Sequence, residues 1–289
     1  MSGTSVYDLA HLQQWIGRSE ESTCVLAHSS VAALAATLDR PKAPREGDPL
    51  PLLWHWIFFQ PAARHSELAP DGHPQRGDFL PPAPLPRRMW AGGALRFSPE
   101  ASLTIGATAT RRSRIASVDA KSGKSGPLLF VTLEHSFFEE QGCAALTERH
   151  DIVYRGPPPA RDVVAASVPS IPRGPAQWRR EMLASSTLLF RYSALTFNAH
   201  RIHYDQPYST TVEGYPGLVV HGPLIPTLCM ELLLSKLPQA RVVTFDYRAI
   251  APLFDTTPFS VCGRSPGTGV ELWAEHATGD LAMTANATL

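Results

Sequence analysis

The chain of 289 residues has little unbalanced charge: 26 Lys and Arg stand against 26 Asp and Glu, and only 18% of residues are charged. That balance argues against a polyanion partner or a basic membrane-surface protein, so no nucleic acid and no membrane partner is expected. Cysteine is also scarce. Cys24, Cys143, Cys229 and Cys262 lie far apart, with no Cys-x-x-Cys pair to hold zinc or run redox chemistry. They read as small buried apolar residues in a reducing compartment. Long hydrophobic runs are missing too. No stretch of about 18 apolar residues exists to form a transmembrane helix. Met1–Gln14 lacks a basic region followed by an apolar one, so no secretory signal is expected and the expected location is cytoplasmic. Gly123-Lys124-Ser125 ends like a phosphate-binding P-loop, but Val118 stands where the first glycine belongs, so the segment reads as a hairpin turn. Asn286-Ala287-Thr288 matches a glycosylation acceptor, which has no consequence without a secretion signal.

Apolar and aromatic residues make up 44% of the chain, too many for a disordered protein. Proline is the residue in excess, at 27, and it clusters. Eleven prolines fall between Pro41 and Pro86, and six fall in 155–176. The second cluster has neither helical nor strand period and reads as a stiff linker. It divides the chain into 1–154, the linker 155–176, and 177–289.

The halves look alike. LFVTLEH at Leu129–His135 precedes GCAALT, and VELWAEH at Val270–His276 precedes GDLAMT. Each is a strand ending in Glu-His, a turn with glycine and a second strand. More strands are expected over Ser102–Thr110, Arg114–Val118, Val242–Tyr247 and Pro258–Gly263. Pro223–Leu237 predicts a helix apolar on nearly every face, which other structure must wrap. Its prolines sit in the first turn, where no N–H donor is needed. Pro51–Gln60 is a shorter counterpart in the first half. Helices are also expected at Tyr7–Ile16, closed by Gly17, and at Ser30–Leu38. A buried helix followed by antiparallel strands, twice over, suggests a sheet curled around a central helix.

Chemistry concentrates in Phe197–Tyr208, FNAHRIHYDQPY. Asn198, His200, Arg201, His203, Tyr204 and Asp205 lie just upstream of the buried helix, and such dense polarity is costly unless it lines a site. His221 and Gly222 stand at that helix's entry. A glycine there admits a ligand to the backbone, and helix N-terminal N–H groups can then hold a developing oxyanion. His200, His203 and Asp205 also have the spacing of metal ligands, but a third or fourth partner would be needed. Arg201, Arg87 and Arg88 suit either an anionic ligand or a structural ion pair. Asp71-Gly72-His73 reads first as a turn.

The pattern SALTFNAHRIHYD followed by VVHGPL resembles the MaoC-like, (R)-specific enoyl-CoA hydratases. Aligned on their final His and Asp, His203 matches the catalytic His, Asp205 the trailing Asp and Gly222 the oxyanion-hole glycine. Asn198 falls where that family usually carries an Asp. PLLWHWIFFQP, DGHPQRGDFLPP, PLPRRMWAGG and KSGKSGPLLFVT extend the resemblance over most of the chain. They are similar to the branch containing mesaconyl-C4-CoA hydratase, itaconyl-CoA hydratase and type 2 hydroxyacyl-thioester dehydratase, which commonly carries Asn there.

The resemblance implies an α+β fold of tandem (double) hot-dog type, with a degenerate site in the first copy and the hydratase motif in the second. It implies a lyase that adds water reversibly to an α,β-unsaturated acyl-CoA. A short branched dicarboxylic substrate, itaconyl-CoA or mesaconyl-CoA giving citramalyl-CoA, is the expected one. The alternatives are a (3R)-hydroxyacyl-thioester dehydratase of longer chains and a hot-dog acyl-CoA thioesterase. In the implied mechanism His203 activates water, Asn198 positions it, and the Gly222 N–H stabilises the enolate. Asp205 either orients His203 or caps local backbone, and His221 supports the loop. Arg201, His200, Tyr204, Asp205, His221, Arg87 and Arg88 are the candidate substrate-binding residues. No metal or other cofactor is expected, since CoA belongs to the substrate. A tandem fold supplies its own internal pairing, so a homodimer is optional.

Overall fold

Strands that alternate inward apolar and outward polar side chains build most of this protein. The computed structural model describes residues 7–123, 126–139, 142–156 and 174–289. Among the described residues, ten strands form one antiparallel sheet. They are β1 (Ser19–Val25), β2 (Arg87–Phe97), β3 (Thr108–Gly123), β4 (Gly126–Glu139), β5 (Leu146–Arg155), β6 (Trp178–Met182), β7 (Thr244–Ala249), β8 (Phe259–Arg264), β9 (Gly269–His276) and β10 (Leu281–Thr288). Their spatial order is β1-β3-β4-β5-β2-β7-β10-β9-β8-β6. From either edge the order is the same: the first strand of a half, then its third, fourth, fifth and second. The halves join where β2 pairs with β7, Gly93 opposite Tyr247. This is the tandem hot-dog arrangement. Each half begins with an edge strand and a ten-residue helix, β1 with α2 (His28–Thr37) and β6 with α3 (Ser186–Leu195), the short α1 (Leu9–Gln13) preceding β1.

The two Glu-His hairpins are real hairpins, β4 with β5 and β9 with β10. On β4 the buried positions are Phe130-flanking Leu129 and Val131, then Leu133, His135 and Phe137. On β5 they include Leu146, Glu148, Ile152 and Tyr154. Period two therefore carries polar groups into the interior along with the apolar ones. No helix among the described residues is long and apolar enough to cross a membrane.

The wrapped helix is α4 (Leu224–Lys236), buried from Leu224 through Leu233. Its one acid, Glu231, is matched: Arg40 gives it two hydrogen bonds of 2.6 Å and the Trp54 indole gives one of 3.0 Å. Pro226 costs nothing in the first turn.

The sequence expectations need correction in three places. Pro51–Gln60 forms only one tight turn, Trp54–Ile57, because Leu53 and Phe59 take left-handed backbone (φ 69° and 59°) and aromatic residues are poor helix formers. The helix over Tyr7–Ile16 shrinks to α1, and Gly17 closes the following turn by donating to the Ile115 carbonyl. Ser102–Thr110 is not one strand. Leu103 and Ile105 bond instead to Leu50 and Asp48, and β3 runs unbroken through Arg114–Val118. Edge strands β1 and β6, strand β2 and helix α3 were not expected. The proposed linker falls largely on 157–173, and the Lys124-Ser125 turn on 124–125, outside the described residues.

The shortness of the Trp54–Ile57 turn has a spatial result. Where the second half is filled by α4, the first keeps open space, and a cavity of about 1180 Å³ runs from the Asn198–His203 loop into the interior of the first half.

Candidate active site

Helix α3 ends at Leu195 with Thr196 as its cap, and Phe197 takes a left-handed conformation (φ 46°) that turns the chain into the loop carrying the candidate residues. The Asn198 side-chain oxygen accepts the His200 N–H at 3.0 Å. That contact fixes the amide's orientation, leaving its NH₂ as the end available to a ligand. Residues 201–203 form a single tight turn that buries Ile202 and His203.

His203 is held by one bond. Its Nδ1 lies 2.7 Å from the Val219 carbonyl oxygen. A carbonyl only accepts, so Nδ1 carries the hydrogen and Nε2 keeps a lone pair. Burial pushes the His203 pKa down to about 4; the Val219 bond opposes this and His73 adds to it. The imidazole is therefore a neutral base at pH 7. His221 stacks on it, ring centroids 3.8 Å apart and planes 17° apart. The Nε2 of His221 lies 2.8 Å from the Ser193 hydroxyl, and burial holds its pKa well below the usual range, with charges on His203 and His200 acting the same way.

Gly222 lies two residues before α4 and lines the cavity. Its N–H donates to no backbone carbonyl among the described residues. A Cβ here would stand 2.9 Å from Trp90 Cβ and 3.4 Å from Trp90 Cγ. Gly222→Ala is expected to displace Trp90 or the helix entry and to lower kcat by about 10²-fold, as misplacement near a reacting group does. Steady-state kinetics beside a thermal melt separate this from the ~1–3 kcal/mol of overpacking.

Asp71-Gly72-His73 is a turn, as the sequence suggests, but it packs directly on the active loop. The Asp71 carbonyl accepts the Arg201 N–H at 2.9 Å. Gly72 is left-handed (φ +89°), and a Cβ there would overlap the Ala199 carbonyl oxygen at 1.8 Å. The His73 ring comes within 4.0 Å of His200, whose ring meets His203 edge-on at 5.4 Å. Asp71, His73 and His200 each place one ligand atom within 4.8 Å of the others. So the group with ion-binding proximity is not the His200, His203, Asp205 set that spacing offered. Part of this closeness is the 3.1 Å contact between His73 Nδ1 and the Asp71 carboxylate. Burial would raise the Asp71 pKa, but the hydrogen bonds from His73 win and lower it.

The remaining candidates sit apart from the His203 imidazole. Asp205 accepts Arg201 at 2.9 and 2.8 Å and the Tyr208 N–H at 3.1 Å, so it pairs and caps, while the Val219 carbonyl is what orients His203. Arg201 is occupied by Asp205, and Arg87 by Glu213 at 2.9 Å. Tyr204 is half exposed and donates to the Ala199 carbonyl. Arg88 lines the cavity.

A second polar cluster went unnoticed in the sequence. Glu148 accepts Trp56 Nε1 at 3.0 Å and lies 3.2 Å from His55 Nε2. Burial opposes its ionisation, but His55, His135 and His150 overcome that and hold its pKa near about 2. Burial pushes His135 to about 4 and His150 to about 3. These groups line the far part of the same cavity. The readable signal was polar residues at inward positions of the two hairpin strands.

Comparison with known proteins fits this geometry. Residues 53–255 match the family model described as hydroxyacyl-thioester dehydratase type 2. The chain is 45% identical over 276 residues to mesaconyl-C(4)-CoA hydratase of Chloroflexus aurantiacus, covering 95% of this chain and 96% of that protein. It is 29% identical over 252 residues to the mitochondrial hydroxyacyl-thioester dehydratase type 2 of Schizosaccharomyces pombe, covering 79% and 81%. A MaoC-like dehydratase from Phytophthora capsici superposes with a TM-score of 0.68 at 16% identity, covering 98% of both chains. A Mycobacterium tuberculosis protein described as a double hotdog does so at 0.53 and 14%, covering 94% and 95%. At those identities the two structures speak for the fold alone.

Proposed function

The chain belongs to the hydroxyacyl-thioester dehydratase type 2 family, and from that premise we propose that it is a hydro-lyase adding water to a short enoyl-CoA. The observation that carries this reading is a buried neutral imidazole, His203, and a glycine helix entry, Gly222, opening on one long cavity. The acyl group is a branched dicarboxylic one, and mesaconyl-C4-CoA, whose double bond joins the α- and β-carbons, gives citramalyl-CoA by this route. Support for it is the 45% identity to a protein named for mesaconyl-C(4)-CoA.

The thioester carbonyl lies against the Gly222 N–H, at the positive end of α4. Water sits between the Asn198 amide and His203 Nε2. As the water oxygen bonds to the β-carbon, Nε2 takes its proton, and the negative charge moves onto the thioester oxygen, where the N–H stabilises it. The imidazolium then returns a proton to the α-carbon. An amide cannot accept a proton, so Asn198 positions the water and His203 alone carries the transfer. His221, stacked on His203, keeps the ring from turning. The reaction so written draws on no metal or redox group.

Incubation with mesaconyl-, itaconyl- and crotonyl-CoA tests the reading by loss of the enoyl-thioester absorbance. Loss with mesaconyl-CoA is expected, and none with itaconyl-CoA, whose double bond is not conjugated with the thioester. Release of free CoA without hydration would make the protein a thioesterase instead, and hydration of crotonyl-CoA alone would remove the dicarboxylic claim.

A further inference from the structure

The hydratase reading leaves unused a cation and two polar atoms that share one strand face in the cavity. Arg88 and Trp90 are two residues apart on β2 and so project from the same face. Trp90 touches Gly222 through its Cβ position, and its ring stacks on His150 with centroids 4.0 Å apart. Tyr154 stands opposite Arg88 in the β2–β5 register, and His150 lies four residues before Tyr154 on the same strand face. One indole thus separates the helix entry from a polar group formed by Arg88, His150 and Tyr154, all lining the cavity.

Two features single this group out. The His150 Nε2 and the Tyr154 hydroxyl are buried and have no well-formed hydrogen-bond partner, although the Arg88 guanidinium lies close enough to Tyr154 to act on its hydroxyl. Buried polar atoms are rarely left so unless a water or a ligand completes them. The other feature is the state of the arginines. Arg201 is paired with Asp205, Arg87 with Glu213 and Arg111 with Glu20. Arg76 is spent on the carbonyls of Ala83 and Leu85. Arg88, Arg155 and Arg248 line the cavity with no carboxylate or carbonyl partner among the described residues, and of these only Arg88 lies on the strand face that carries His150 and Tyr154. Its charge still reaches the site: it acts on His73, His150 and His200.

We propose, resting on the hydratase reading, that Arg88 with His150 Nε2 and the Tyr154 hydroxyl binds a free carboxylate carried on the acyl group's β-carbon. The guanidinium takes the carboxylate as a fork, and Tyr154 and His150 satisfy its remaining lone pairs. Trp90 forms the wall between this carboxylate and the thioester carbonyl at Gly222, which sets the acyl length. A methyl group in the carboxylate's place leaves a half-buried cation and two buried polar atoms unmatched, so the pocket rejects the monocarboxylic acyl-CoA.

Succinyl-CoA and butyryl-CoA test this by isothermal titration, because both are saturated and differ only in carboxylate against methyl. The wild-type protein is expected to bind succinyl-CoA about 10²-fold more tightly. Arg88→Met is expected to bring the two dissociation constants together, and Tyr154→Phe to narrow their ratio while retaining the fold. Equal binding of both thioesters by the wild type, or a preference that survives in Arg88→Met, would overturn the carboxylate pocket while leaving hydration, read from enoyl absorbance, intact. Binding of neither thioester would bring down the hydratase reading itself.

Discussion

His203→Ala lowers kcat/KM for the enoyl-CoA by about 10²–10⁴-fold, the range for loss of a general acid–base group. The upper part of that range is expected here, because the loop offers no deputy. Asn198 cannot take a proton. His221 is stacked in parallel on His203 and its Nε2 is engaged with Ser193. His200 lies edge-on at 5.4 Å, on the side toward His73. A second variant separates chemistry from architecture. His203→Asn retains a side-chain N–H able to reach the Val219 carbonyl, so the buried acceptor stays satisfied, but it has no Nε2. It is expected to melt close to the wild type and to lose as much activity as the alanine variant. Turnover of either variant within a few-fold of the wild type would remove His203 from the mechanism. Asp205 makes the contrast. It touches Arg201 and the Tyr208 N–H, so its replacement is expected to act on stability before it acts on rate.

Much of this arrangement was legible because its signals are local. The wrapped helix announced itself by apolar residues on all faces, and its Leu224–Lys236 limits fall within the Pro223–Leu237 expected from them. The hairpins were legible from period-two alternation bounded by glycine. Three kinds of feature were not. Strand β2 carries Gly92 and Gly93 in its middle, which reads as a breaker. The glycines are there because β7 crosses so closely that a Cβ on Gly92 would meet the Tyr247 carbonyl at 2.6 Å. Helix α3 has Thr, Tyr and Ser spaced among its leucines, and its N-cap, Ser185, is the first of three small polar residues in a row, Ser185, Ser186 and Thr187. The third kind is long-range. Nothing near Asp71-Gly72-His73 says that it will pack on a loop 130 residues later; only the clash that any side chain at Gly72 would make with Ala199 records the contact. Arg87 and Arg88 show the same limit. They are neighbours with the same chemistry and both line the cavity, yet strand geometry pairs one with Glu213 and sets the other beside Tyr154.

Acidification below pH 6.5 is expected to unfold the protein, and the cause is the burial that keeps its histidines neutral. His203, His135 and His150 are buried with pKa values of about 4, about 4 and about 3, against an ordinary value near 6.5. Above pH 6.5 they are neutral in both folded and unfolded chains and the difference has no effect. As pH falls through 6.5, the unfolded chain takes up protons that the folded one refuses, and stability is lost until the folded pKa values are reached near 4. Each histidine then costs about 1.4 kcal/mol per pH unit, so three cost about 4 kcal/mol per unit. A domain stabilised by roughly 5–15 kcal/mol exhausts that within two or three units. Glu148 acts in the same direction at lower pH: its depressed pKa stabilises the fold above about 4.5, and that contribution fades as pH falls toward 2. Thermal melts followed by circular dichroism should show a midpoint flat above pH 7 and falling steeply between pH 6.5 and 4. His221, His200 and His73, also lowered by burial, add to the fall, and in His150→Phe, which removes one refused proton among these, the fall should be measurably shallower. A midpoint unchanged from pH 7 to pH 4.5 would contradict the account. The same argument ties stability to catalysis. The enolate mechanism needs an uncharged Nε2, and burial supplies it far below neutral pH. The acid limb of kcat/KM should therefore follow unfolding rather than protonation of His203 in the native site, and the rate should track the folded fraction measured in the same buffers.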